Sequence, residues 1–202
     1  MTYNGLPLYD ITEADEFEMT NISIVDDPAV ESDFLKFAKE KQQPKLFQTA
    51  DEQIILGVAI RADFPIYRND SDGEYYVRFT RDAIKAIVKQ YSKDGFFNQV
   101  SLQHNGKRVD GVVMVELYIK DTAKGINPQG FEGIEDGSLF VAYFVENTEL
   151  WNDIKTSGEL NGFSIEIYTT MTESEPTLEE LISELLMDKK KSSRQPQTLT
   201  QR

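Results

Sequence analysis

Cysteine is absent from this chain of 202 residues, which excludes disulfides, thiolate metal sites and a cysteine nucleophile together. Histidine occurs once, as His104, so any imidazole chemistry must pass through that residue. Long apolar runs are missing too. None approaches the roughly 20 residues needed to cross a bilayer, and the N-terminal MTYNGLPLYDITEADEFEM lacks the basic-then-apolar order of a secretory signal. An intracellular protein without membrane contact is expected. Positive charge is scarce: 21 Lys and Arg stand against 35 Asp and Glu, a formal net charge of −14. Phosphate affinity is supplied mainly by clustered Lys and Arg, so no direct nucleic-acid binding is expected. Acid is densest from Asp10 to Asp33, ahead of the first basic residue, Lys36, and reads as a solvated face.

What is present is a succession of short apolar segments separated by turn residues. NISIV (21–25) is a β-branched run stopped before Pro28, as a buried strand would be. Val30, Phe34, Phe37 and Ala38 recur at helical spacing and predict a short helix, followed by the polar linker KEKQQPK. QIILGVAI (53–60) is nearly continuous and predicts a central strand with Gly57 at a bulge. FPIYRNDSDGEYYVRF predicts two strands about a turn at Asn69–Gly73. The NDSDG cluster is not a calcium loop: with Gly73 at the sixth position, Arg68 and Phe79 fall where the first and twelfth ligands belong.

Thr80 is placed to cap a helix bearing Ile84, Ile87, Val88 and Tyr91 on one face, ended by Gly95. Gln99–His104 and Val109–Ile119 predict strands joined as a hairpin through NGK. The glycine-rich DTAKGINPQGFEGIEDGS is too long for a simple connection and suggests a functional flap or a disordered excursion. Leu139–Val145 predicts another buried strand, Thr148 caps a short helix with Leu150, Trp151 and Ile154, and Leu160–Tyr168 predicts a strand carrying Ser164. Near the end, Thr177 and Glu180 form a capping box before a helix with a stripe of Leu178, Leu181, Ile182, Leu185 and Leu186.

Chemistry centres on His104 in SLQHNG and Ser164 in LNGFSIE. A serine hydroxyl is a weak nucleophile until a neighbouring base takes its proton, so the pair is the minimum for acyl transfer at neutral pH. Gly162 lets the backbone approach closely, and the Ile165 amide could face a developing oxyanion. The GxSxG elbow of α/β esterases is absent.

The order QIILGVAI, FTRDAIKAIVKQYSKDG, NQVSLQHNGKRVDG, GSLFVAYFVEN, ELWNDIKTSGELNGFSIEIY resembles the prohead (capsid maturation) proteases of tailed bacteriophages, more narrowly their XkdF-like branch. The resemblance covers roughly Phe17 to Tyr168. It implies a serine endopeptidase of herpesvirus-assemblin type, with Ser164 as nucleophile, His104 as general base and a third polar residue orienting the imidazole. In many members a glutamate opens a segment of the type EVSLVxxPAN after the nucleophile. Here the similar NISIVDDPAV stands near the start, which suggests a circular permutation and puts Asn21 where the glutamate would be. Glu166, two residues beyond Ser164 and so on the same strand face, and Glu116, downstream of His104, are the alternatives.

The expected architecture is α+β, a mostly antiparallel barrel-like sheet with flanking helices and a C-terminal amphipathic helix. Residues 1–172 would form the protease-like domain, 173–188 the amphipathic helix as an assembly or scaffold segment, and 189–202 a disordered basic tail. The resemblance implies cleavage of the major capsid protein, the scaffold protein and the chain itself inside the assembling prohead in the host cytoplasm. Self-association is implied, and no metal or cofactor. The rival expectation is a non-catalytic structural or scaffolding component that keeps the protease fold.

Overall fold

In the computed structural model, residues 2–28, 35–37, 52–71, 73–156, 160–169 and 172–173 are described. The chain opens with β1 (Thr2–Tyr3), β2 (Leu6–Ile11), β3 (Phe17–Val25) and β4 (Leu35–Phe37), then continues through β5 (Ile54–Ile60), β6 (Ile66–Asp70) and β7 (Gly73–Phe79). Helix α1 (Arg81–Asp94) leads to β8 (Val100–Leu102), β9 (Val112–Ile119) and β10 (Leu139–Val145). Helix α2 (Thr148–Thr156), β11 (Gly162–Thr169) and β12 (Thr172–Glu173) follow.

The architecture is α+β and rich in sheet. Among the described residues the strands form three sheets and no closed barrel. One has the order β1-β2-β7-β6 with β12 also on β2, the second β4-β5-β10-β9, the third β11-β3-β8. Pairing is antiparallel except between β2 and β7 and between β3 and β8.

The apolar runs decide the interior. β10 (LFVAYFV) is buried along nearly its whole length and lies between β5 and β9, so continuous hydrophobicity there marks a strand covered on both faces. β5 carries the buried Ile55, Val58, Ala59 and Ile60. Its irregularity lies opposite the Leu139/Phe140 step, where Ile60 and Val58 are the successive partners; the extra residue is Ala59 and not Gly57. Helix α1 buries Ala83, Ile84, Ile87 and Tyr91 as one stripe and packs on β3. It is capped as its sequence predicts: Thr80 accepts from the Ala83 amide at 3.2 Å, and Gly95 closes it in the left-handed conformation with φ 74°.

Several local expectations are corrected. Leu35–Phe37 pairs antiparallel with β5 as a strand, where the apolar spacing predicted helix; a long-range ladder overrides a three-residue periodicity. The NGK segment does not join a hairpin: β8 lies beside β3 and β9 beside β10. A hydrogen bond from the Val109 amide to the Val100 carbonyl, 2.8 Å, brings the chain back to β8 after the turn. The α2 cap is Asn147, whose side-chain oxygen accepts from the Leu150 amide at 3.1 Å, one residue before Thr148.

The glycine-rich stretch between β9 and β10 is a folded loop. Lys120, 3% exposed, sends its ammonium into it and donates to the carbonyls of Phe131, Glu132 and Ile134 at 3.0, 3.4 and 2.6 Å. The helix expected over 177–188 and the tail after it lie outside the described residues.

Candidate functional site

β3 is the middle strand of the β11-β3-β8 sheet, and its alternation divides two environments. Ile22 and Ile24 are fully buried in the core, so Asn21 and Ser23 point to the opposite face. β11 pairs with it in the register Phe163↔Ile24, Ser164↔Ser23, Ile165↔Ile22 and Glu166↔Asn21. Ser164 and Glu166 therefore share the face of Ser23 and Asn21. On the other flank β8, parallel to β3, sets Ser101 against Ser23. A row of three serines, Ser164, Ser23 and Ser101, crosses three strands that are far apart in sequence.

After Leu102 the chain turns through two consecutive left-handed residues, Gln103 (φ 49°) and His104 (φ 53°). The turn is pinned by the Gln103 amide on the Ile24 carbonyl at 3.1 Å and the Asn105 amide on the Leu102 carbonyl at 3.0 Å. Left-handed backbone is uncommon for side-chain-bearing residues and is held here by those bonds. It brings the imidazole back over the polar face, where His104 Nδ1 lies 3.1 Å from Glu166 Oε1 and 3.2 Å from Ser23 Oγ.

Glu166 Oε1 is the hub. Besides the imidazole, it accepts from Asn21 Nδ2 at 2.8 Å, Ser23 Oγ at 3.0 Å and Ser101 Oγ at 3.3 Å. Ser23 and Ser101 are 2.7 Å apart, and Asn21 Nδ2 also donates to Ser101 Oγ at 2.7 Å. Partial burial alone would push the Glu166 carboxyl up. The hydrogen bonds from Asn21, His104 and Ser23 outweigh it and hold the group below its ordinary value. The carboxylate thus stays ionised and is an acceptor only, so Nδ1 carries the proton toward it and a neutral ring has its lone pair at Nε2.

His104 and Glu166 are brought together, and Asn21 meets Glu166 and not the imidazole. Ser164 sits partly buried in the serine row and makes no hydrogen bond to His104; the imidazole's side-chain partners among the described residues are Ser23 and Glu166. Glu116 lies on β9, opposite Ala142 in another sheet, and makes no bond to His104. Ile165 pairs with Ile22, whose own amide bonds to the Gln99 carbonyl on the β8 side. Alternation along the ladder therefore turns the Ile165 N–H away from β3, off the ladder.

Sequence reasoning missed Ser23 and Ser101. The signal was the triplet apolar-Ser-apolar in three strands: Ile22-Ser23-Ile24, Val100-Ser101-Leu102 and Phe163-Ser164-Ile165. Each places a lone hydroxyl on the face opposite a core pair.

A cleft of about 290 Å³ opens beside Glu166, lined by Thr20, Asn21, Phe96, Gln99, Ser101 and Arg108 among others. No group of three carboxylates or histidines gathers as metal ligands among the described residues, and no described helix is long and apolar enough to cross a membrane. The arrangement supplies an imidazole oriented by an ionised carboxylate at Nδ1, with the Ser23 hydroxyl at that same nitrogen and Ser164 on the same sheet face, side chains of the types that hydroxyl-nucleophile acyl transfer uses. No family model, curated protein or solved structure matches the chain.

Proposed function

We propose that the chain is a serine endopeptidase of the prohead-maturation kind, cutting capsid and scaffold protein segments, and itself, inside an assembling phage head. The observation that carries the proposal is the 3.1 Å contact of His104 Nδ1 with the Glu166 carboxylate on the face that also bears Ser164. A carboxylate at one ring nitrogen fixes the tautomer that makes the other a base. Ser164 Oγ attacks the peptide carbonyl, His104 Nε2 takes its proton and returns it to the leaving amine, and water then hydrolyses the acyl-enzyme. The Ile165 amide, free of the ladder, is a donor for the oxyanion. Proton transfer requires the imidazole to move from Ser23 toward Ser164, its cross-strand neighbour, a distance of roughly 5 Å between Cβ atoms. In this reading Asn21 positions the carboxylate, and the family's barrel-like sheet is represented by separate sheets.

The test is incubation of the purified chain with mass spectrometry of its products, beside Ser164→Ala and Ser23→Ala. Loss of cleavage in Ser164→Ala, with retained fold, is the expected result. Undiminished cleavage in that variant removes Ser164 from the role.

One observation favours a second reading. Ser23, fully buried, is the hydroxyl that contacts His104, and Ser164 is not. A structural or scaffolding component that keeps the protease fold would hold its polar face this way. Such a protein would show no cleavage under any of these conditions and would still bind capsid or scaffold protein.

A further inference from the structure

The cleft beside Glu166 has a chemistry of its own. Its lining includes a cation, Arg108, which is exposed and makes no ion pair or side-chain hydrogen bond to another described residue. In a chain with 14 more negative than positive charges, three other described guanidinium groups find acids, Arg61 with Glu135, Arg78 with Asp10 and Arg81 with Asp63, and Arg68 donates to the Tyr67 carbonyl. The one acid in the cleft lining, Glu166, already accepts from Asn21, Ser23, Ser101 and His104. The remaining lining pairs amide and hydroxyl groups (Thr20, Gln99, Asn21) with the ring of Phe96. Asn21, which lines the cleft, has its Oδ1 buried without a hydrogen-bond partner.

Position relates this cleft to the proposed chemistry. It borders the Asn21–Glu166 row of the sheet, and Ser164 lies two residues along β11 from Glu166, or roughly 7 Å at strand spacing. An extended peptide presenting a carbonyl to Ser164 therefore has a residue within two positions of that bond over the cleft.

We infer that the cleft is a specificity pocket for an acidic side chain of a peptide substrate, its carboxylate paired with Arg108. A guanidinium takes a carboxylate in two parallel hydrogen bonds, which discriminates it from the isosteric amide and from a cation. Phe96 packs the methylene part. The inference rests on the endopeptidase reading for its substrate, but the pocket can be tested apart from catalysis.

The experiment uses the full chain and three blocked hexapeptides, acetylated and amidated, with a central Glu, Gln or Lys, plus a free-acid version of the Gln peptide. Binding is measured by calorimetry on Ser164→Ala, cleavage by mass spectrometry on the unaltered chain, and both are repeated with Arg108→Gln and Arg108→Glu. The expected result is about ten-fold tighter binding and faster cleavage of the Glu peptide than the Gln peptide, abolished in Arg108→Gln and turned toward the Lys peptide in Arg108→Glu. The preference should weaken at high salt. Equal handling of Glu and Gln peptides, or a preference that survives Arg108→Glu, overturns the inference even where cleavage is robust. Preference for the free-acid Gln peptide over the blocked Glu peptide also overturns it, since the carboxylate bound would be a chain terminus. Arg108-dependent binding of the Glu peptide without any cleavage upholds the pocket and sinks the protease.

Discussion

Asn21 and Glu166 face each other across β3 and β11 and are joined, Nδ2 to Oε1, at 2.8 Å. The amide holds the carboxylate, and the carboxylate holds the imidazole at 3.1 Å. Asn21 thus acts on His104 through a charge, and the carboxylate that meets the imidazole comes from the strand that also bears Ser164.

Glu166→Gln is expected to lower peptide cleavage by about a hundred-fold or more, because the amide can present an N–H to Nδ1 and favour the wrong tautomer. Asn21→Ala should cost less, as the carboxylate keeps its other donors. Steady-state rates for the two variants on one peptide check the order; an Asn21→Ala loss exceeding that of Glu166→Gln contradicts it.

The depressed Glu166 carboxyl also has a consequence for stability against pH. Its ordinary value is 4.5 and its folded value lies lower, so between the two the unfolded chain binds more protons than the native one. The stabilisation is present in full above the ordinary value and is lost as pH falls through the folded value. Thermal midpoints measured across this acid range should fall less steeply for Glu166→Gln than for the unaltered chain.

Ser23→Ala is expected to destabilise the fold by about 1–3 kcal/mol in urea unfolding. The hydroxyl is fully buried, and its loss leaves Ser101 without a partner at 2.7 Å and Glu166 without a donor at 3.0 Å.

Lys120→Met removes the ammonium shared by three loop carbonyls, and should cost about 2–3 kcal/mol. Hydrogen exchange should rise chiefly over residues 121–138, while the Ser23 network keeps its protection.

Much of the frame was legible because it rests on long apolar runs and helix ends. β5, β10 and α1 with its Thr80 and Gly95 caps follow from their sequences, and NISIV does lie beside the strand that leads to His104. Glu166 was readable by strand alternation as one of two alternatives to Asn21 for the residue that meets the imidazole. What failed was the choice of partners. NGK is a sound local hairpin signal, yet β9 went to β10, whose apolar surface offered more burial than the three residues of β8. Ser23 and Ser101 were invisible for the same reason. A small hydroxyl inside an apolar strand acquires meaning only when the flanking strands are known.

The pairing of β3 with β11 sets when the site can exist. The bond from Asn21 to Glu166 spans 145 residues of chain, and closing so long a loop is slow compared with forming a helix such as α1. During synthesis, a chain that has released β3 and β8 but not β11 carries His104 with neither its carboxylate nor Ser164. If the chain is the proposed protease, nascent neighbours are therefore safe from one another until translation has passed Glu166. On the proposed reading, the topology delays the onset of proteolysis without any inhibitory segment.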